Sequence, residues 1–286
     1  MVKLNAKHPT LLLDEILHSI FFLGKLNDPE FYPESIVGND DDVDMLKMLR
    51  KCFPRPFALY SSHLPKRSPF SCFLDMIVHL CERKDDEKEI IKRLQDFISQ
   101  LEYSKSKALV SSTICVSQSN NPKSVKYYGV SMSTSGCYPG RIMVAASCLS
   151  SWDSNVADAV MTYYPTKTKK QDFDGTIKLP QHVRCQAFNL HLGREKPPCR
   201  SCGNLFGLET SETTQSDYGN CAEAESLSDL LKDVENVREQ VRPTSKTCTD
   251  ENRETVKKSV LTQLKRLLRD LKFKWDNDEN FYDPRV

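Results

Sequence analysis

The chain has 286 residues, enough for two domains or one large one with a substantial core. Its 40 basic and 39 acidic residues nearly cancel, which excludes a global field steering it to nucleic acid or anionic membrane. Eleven cysteines lack the dense, short spacing of a small secreted scaffold. That usage places the chain in a reducing compartment, cytoplasm or nucleus, where close thiols bind metal or stay buried.

Residues 1–105 read as helical. Leu12, Leu13, Ile16, Leu17, Ile20 and Phe21 recur at helical spacing behind a Thr10 cap. The run is broken by Asp14, Glu15 and His18 and has no small-residue cleavage site, so no signal peptide is expected. No uncharged apolar run reaches the ~20 residues that span a bilayer, so no membrane partner is expected. Shorter helices follow from Asp41 to Cys52, Cys72 to Cys81 and Asp86 to Tyr103, the last with Ile90, Ile91, Leu94, Phe97, Ile98 and Leu101 on one face. His18 and His79 lie beside apolar faces and read as core or boundary histidines. These helices form an expected first domain, a candidate surface for a protein partner.

From residue 106 the pattern becomes that of an α/β domain, expected to run to 286. Ala108 to Ser117 reads as a strand. After the polar loop SQSNNPKS, Val125 to Thr134 and Arg141 to Leu149 read as a long-looped hairpin. Ser154 to Tyr164 is a short amphipathic helix capped by Asp153 or Ser154, and Val183 to Leu190 alternates as a strand. A charged linker from Glu235 to Asn252 leads to a final helix, about Arg253 to Trp275. It has a leucine-rich stripe and a row of cations that reads as a solvated face. The expected fold class is thus a mixed sheet flanked by helices, preceded by an all-helical N-terminal domain.

Between strand and final helix lies the chemistry. Cys199 and Cys202 form a Cys-x-x-Cys pair, flanked by Pro198 and Gly203, in which a tight turn brings both thiolates to one ion. Cys221, heading a helix, is the third candidate ligand, because a helix N-terminus favours a thiolate. Three sulfurs leave one position open on a tetrahedral Zn2+, the geometry of a catalytic site whose water is acidified. Glu223 starts the stripe that continues through Leu227, Leu230, Leu231 and Val234, whereas Glu225 lies off it. An inward carboxylate there is placed as general base and acid. The bland alternative makes Glu223 the acidic member of a capping box behind Asn220. In another alternative, Cys185 or His191 closes the zinc and leaves a structural knuckle. Cys72, Cys81, Cys115 and Cys148 sit in apolar surroundings and read as buried thiols.

Cys221-Ala222-Glu223 together with Pro198-Cys199-Arg200-Ser201-Cys202 resembles the zinc-dependent cytidine and nucleotide deaminase superfamily. The resemblance covers about residues 106–275 and implies a deaminase-like α/β fold. It implies Cys199, Cys202 and Cys221 as Zn2+ ligands, Glu223 as proton shuttle, and hydrolytic deamination of a cytosine-type base in a nucleobase-containing substrate or nucleic acid. In that family the acidic motif precedes the cysteine pair; here it follows, which implies a permuted order. Cys185-Gln186-Ala187 stands in the usual order but has alanine where the glutamate belongs, the mark of a catalytically dead relative. The competing function is a non-catalytic zinc-stabilised interaction module. Trp152, Tyr163, Phe206 and Tyr218 are the aromatic candidates for stacking on a base.

Overall fold

The computed structural model describes residues 9–38, 43–101, 108–119, 124–243, 245–275 and 280–285. Asp41, Tyr103 and the middle of the polar loop, 120–123, lie outside the described residues. Six helices come first: α1 (Pro9–Lys25), α2 (Pro33–Val37), α3 (Val43–Cys52), α4 (Pro54–Leu59), α5 (Pro69–Leu80) and α6 (Glu87–Gln100). Strands β1 (Thr113–Ser119) and β2 (Lys126–Val130) precede α7 (Cys137–Ser150) and α8 (Ser154–Met161). Next are β3 (Val183–Asn189), β4 (Arg194–Lys196), α9 (Arg200–Phe206), α10 (Ala222–Asp233), α11 (Glu235–Gln240) and α12 (Asp250–Asp270).

Local chemistry sets many of these ends. The Ser68 hydroxyl accepts from the Ser71 N–H ahead of Pro69, Asp86 accepts from Glu89, and Thr249 accepts from Asn252. Asp153, one of the two expected caps, accepts from the Asn155 N–H at 2.9 Å. Each satisfies a backbone donor that a helix start leaves without an intrahelical partner.

The sheet has the order β2-β1-β3-β4 and every ladder is antiparallel, which corrects the expectation of a mixed sheet. One half of the expected hairpin is also corrected: Arg141 to Leu149 lies inside α7. Nearly every residue of α7 from Pro139 to Cys148 is buried. A helix buried all round shows no 3.6-residue pattern, and a short apolar run is then easily read as a strand.

The two faces of the sheet differ in composition, and this positions the site. One face presents Ile114, Val116, Tyr128, Val130 and Phe188, which share a core with Phe70 and Leu74 of α5 and Ile90, Leu94 and Ile98 of α6. The residue 105 boundary therefore does not separate two cores. Phe22 and Leu23 of α1 likewise join the large core built from α7, α8, α10 and α12. The opposite face carries small residues: Cys115 and Ser117 on β1, Gly129 on β2, Cys185 and Ala187 on β3. Against them lies α10, close enough that a Cβ on Gly129 would stand 2.3 Å from the Ser226 nitrogen and 2.6 Å from the Ala222 oxygen.

The final helix behaves as read from its stripe, with Val256, Val260, Leu264, Leu267 and Leu268 buried. It is pinned by Arg253, whose Nε donates to the buried Asp158 at 2.7 Å. His18 is buried and stacks on Tyr282, ring centroids 3.7 Å apart. Among the described residues no helix is long and apolar enough to cross a membrane.

Candidate metal centre

Two helix starts converge to build the site. Cys199 is the N-cap residue of α9 and Cys202 sits in its first turn, so the expected tight turn is the opening of a short helix. Cys221 is the N-cap residue of α10. The Cys199 sulfur is 3.8 Å from that of Cys202 and 3.4 Å from that of Cys221. All three lie within 4.8 Å of one another. Sulfurs placed tetrahedrally around an ion at about 2.3 Å stand about 3.8 Å apart, so the three donors fit a single metal ion. They are far from the ~2.05 Å of a disulfide, and all are free thiols.

Cys199 is the negative pole of the group. Its sulfur contacts with Cys202 and then Cys221 hold its thiol well below the usual range. The same contacts with Cys199 push Cys202 and Cys221 up. Two helix N-termini favour the thiolate form that a metal ion needs in its sulfur ligands.

Glu223 is 4% exposed and stands beside the sulfurs but outside their ligand group. Burial raises its pKa, against which nearby Cys202 and its own backbone N–H act. The capping-box alternative is not what forms, since the N-cap residue is Cys221 and makes no side-chain cap bond. Neither Cys185 nor His191 belongs to the metal-competent group. Cys185 lies mid-strand in β3, 3.5 Å from Cys115, and His191 is exposed in the turn after that strand. The Cys185-Gln186-Ala187 alternative therefore has no helix start to present a ligand. Cys72, Cys81, Cys115 and Cys148 are buried, as read from the sequence.

The loop from α9 to α10 fixes the distance between the two helix starts. Tyr218 anchors it, stacking on Tyr163 with centroids 3.9 Å apart and accepting from Asn204 of α9 at 2.8 Å. These two tyrosines and Phe206 are buried. Of the stacking candidates Trp152 is half-buried, lining a cavity of about 10 Å³ with Cys221, Arg67, Ser71 and Glu225.

Glu225 is the residue that sequence reasoning missed. It lies one helical turn from Cys221, and that spacing was the available signal. Its carboxylate accepts from the Val130 N–H at 2.8 Å and from the Ser71 hydroxyl, tying α10 to β2 and α5. Burial, then the charge of Asp229, pushes its pKa up to about 7. A carboxyl raised from 4.5 binds a proton more readily folded than unfolded. Its contribution is therefore greatest below pH 4.5 and is lost as pH rises through about 7. Wild type is expected to lose roughly 2–3 kcal/mol at this residue over that window. Glu225→Gln is expected to flatten that component, measured by urea unfolding of both proteins at several pH values. Parallel curves would refute it.

No family model matches the chain, and no curated protein or solved structure matches it.

Proposed function

We propose that the centre holds Zn2+ on Cys199, Cys202 and Cys221 and that the protein is a hydrolytic deaminase of a cytosine-type base, with Glu223 moving the protons. The observation that carries this reading is a buried carboxylate beside three metal-competent sulfurs, yet outside their group. Among the described residues no fourth His, Cys, Asp or Glu joins that group, so a tetrahedral ion held there would have one position left for a reactant. The convergence of two helix starts supports a deaminase-like arrangement, because a shared point in space does not depend on which motif comes first in the chain. The nucleobase substrate rests on the resemblance of the two motifs.

When bound there, zinc supplies Lewis acidity toward water and substrate. The protein's own residues do the rest. The three thiolates would hold the ion at the starts of α9 and α10. Glu223, shut away from bulk water, would take a proton from the water that adds to the amine-bearing carbon and deliver it to the nitrogen that leaves as ammonia when the C–N bond breaks. Glu223→Gln is expected to keep one zinc per chain and to stay within about 1 kcal/mol of wild-type stability. Ammonia release from cytidine, deoxycytidine monophosphate or a single-stranded oligonucleotide is expected to fall at least 100-fold. Metal-free wild type, or undiminished turnover in the variant, would overturn the reading.

A second reading is a zinc-stabilised non-catalytic module, which the three-sulfur group supports without any role for Glu223. On that reading neither protein releases ammonia, and chelation alone unfolds both.

A further inference from the structure

Two thiols of the α10-facing sheet surface take no part in the metal group. Cys115 on β1 lies opposite Ala187, and Cys185 on β3 lies opposite Ser117, so the two cysteines are diagonal neighbours across one ladder. Their sulfurs are 3.5 Å apart, in contact. Cys115 is fully buried, whereas Cys185 is partly exposed. Ala222 of α10 packs against the pair. Among the described residues no third His, Cys, Asp or Glu joins them, so they are not a metal site. A contacting dithiol with one cysteine partly exposed and the other buried is suited to oxidation in sequence.

We propose that Cys115 and Cys185 form an oxidation site for hydroperoxides, with Cys185 the sulfur attacked first and Cys115 the one that resolves it into a disulfide. With hydrogen peroxide, the Cys185 sulfur attacks one peroxide oxygen and the O–O bond breaks. The products are a Cys185 sulfenic acid and one water. The Cys115 sulfur then attacks the Cys185 sulfur, the S–O bond breaks, and the hydroxyl leaves with the Cys115 proton as a second water. The two sulfurs lose two electrons and the peroxide gains two.

The division of roles follows from position. Cys185 is the partly exposed member of the pair and the one a peroxide would meet first, while Cys115 is closed off behind it and its thiol is pushed up by burial. Bond formation draws the sulfurs from 3.5 Å to about 2.05 Å. Diagonal neighbours on a ladder have Cα atoms about 7–8 Å apart, beyond the relaxed range of a disulfide. A bond between them therefore requires a local shift along the β1–β3 ladder beneath Ala222 of α10.

The test uses the full-length protein as purified, treated with one equivalent of hydrogen peroxide, alkylated, digested and read by mass spectrometry. Wild type is expected to give a Cys115–Cys185 cross-linked peptide pair that dithiothreitol reverses, at least 10-fold above Cys185→Ser and Cys115→Ser. Cys115→Ser is expected to stop at a Cys185 sulfenic acid that dimedone traps. Should that buried substitution prevent folding, Cys185→Ser decides, because Cys115 is then expected to stay a free thiol. Three results would overturn the proposal: Cys115 oxidised without Cys185, Cys185 left unmodified while Cys199, Cys202 and Cys221 oxidise, or wild type halting at an uncross-linked acid.

Discussion

Replacing Gly129 by alanine is expected to destabilise the protein by about 3 kcal/mol and to lower Tm by roughly 10 °C. The cause is the approach of two backbones. The added Cβ would meet the Ser226 nitrogen at 2.3 Å, the Ala222 oxygen at 2.6 Å and the Glu225 Cβ at 2.9 Å. Two of those three atoms are backbone, so no side-chain rotamer relieves the clash, and α10 must move off the sheet. Its first turn carries Cys221 and Glu223, so the same substitution is expected to lower metal content as well as stability. Gly38→Ala is the control, since its Cβ would meet the Glu34 oxygen at 3.5 Å, an ordinary contact. Differential scanning calorimetry with metal analysis of both variants checks this. A Gly129→Ala protein with wild-type Tm and metal content would show that α10 does not press on β2 as described.

The second large effect is expected at Cys202, the fully buried sulfur of the three. Cys202→Ser should reduce metal affinity at least 100-fold, because a hard hydroxyl replaces a soft thiolate. A metal that binds only the folded chain stabilises it by about 4 kcal/mol when its free concentration is 1,000 times Kd. Chelation is therefore expected to lower the wild-type Tm steeply and to leave Cys202→Ser unmoved. Cys52→Ser, at an exposed cysteine away from the group, should behave as wild type. Equal metal content in wild type and Cys202→Ser would show that Cys202 is no ligand.

Some elements were legible because the chain announces them locally. The stripe of α12, the Asp153 cap and the alternation of β3 each depend on near neighbours in sequence. The Cys199–Cys202 pair was legible for the same reason, and so was the inward phase of Glu223, one turn before Leu227. Helix α7 was not, because it is apolar on every side and its period is hidden.

What the sequence by itself determined is the list of donors and the helical phase that turns Glu223 inward. Only the tertiary structure decided which cysteines meet. Cys221 joins the pair because the Tyr218 anchor brings two helix starts together, while Cys185 is held in β3 against Cys115. It also decided the role of Glu225, whose partners Ser71 and Val130 come from distant parts of the chain. The N-terminal helices were settled in the same way, since α5 and α6 form one wall of the sheet's own core. Pairings across such separations leave no trace in local periodicity, because they depend on which small faces allow two backbones to approach.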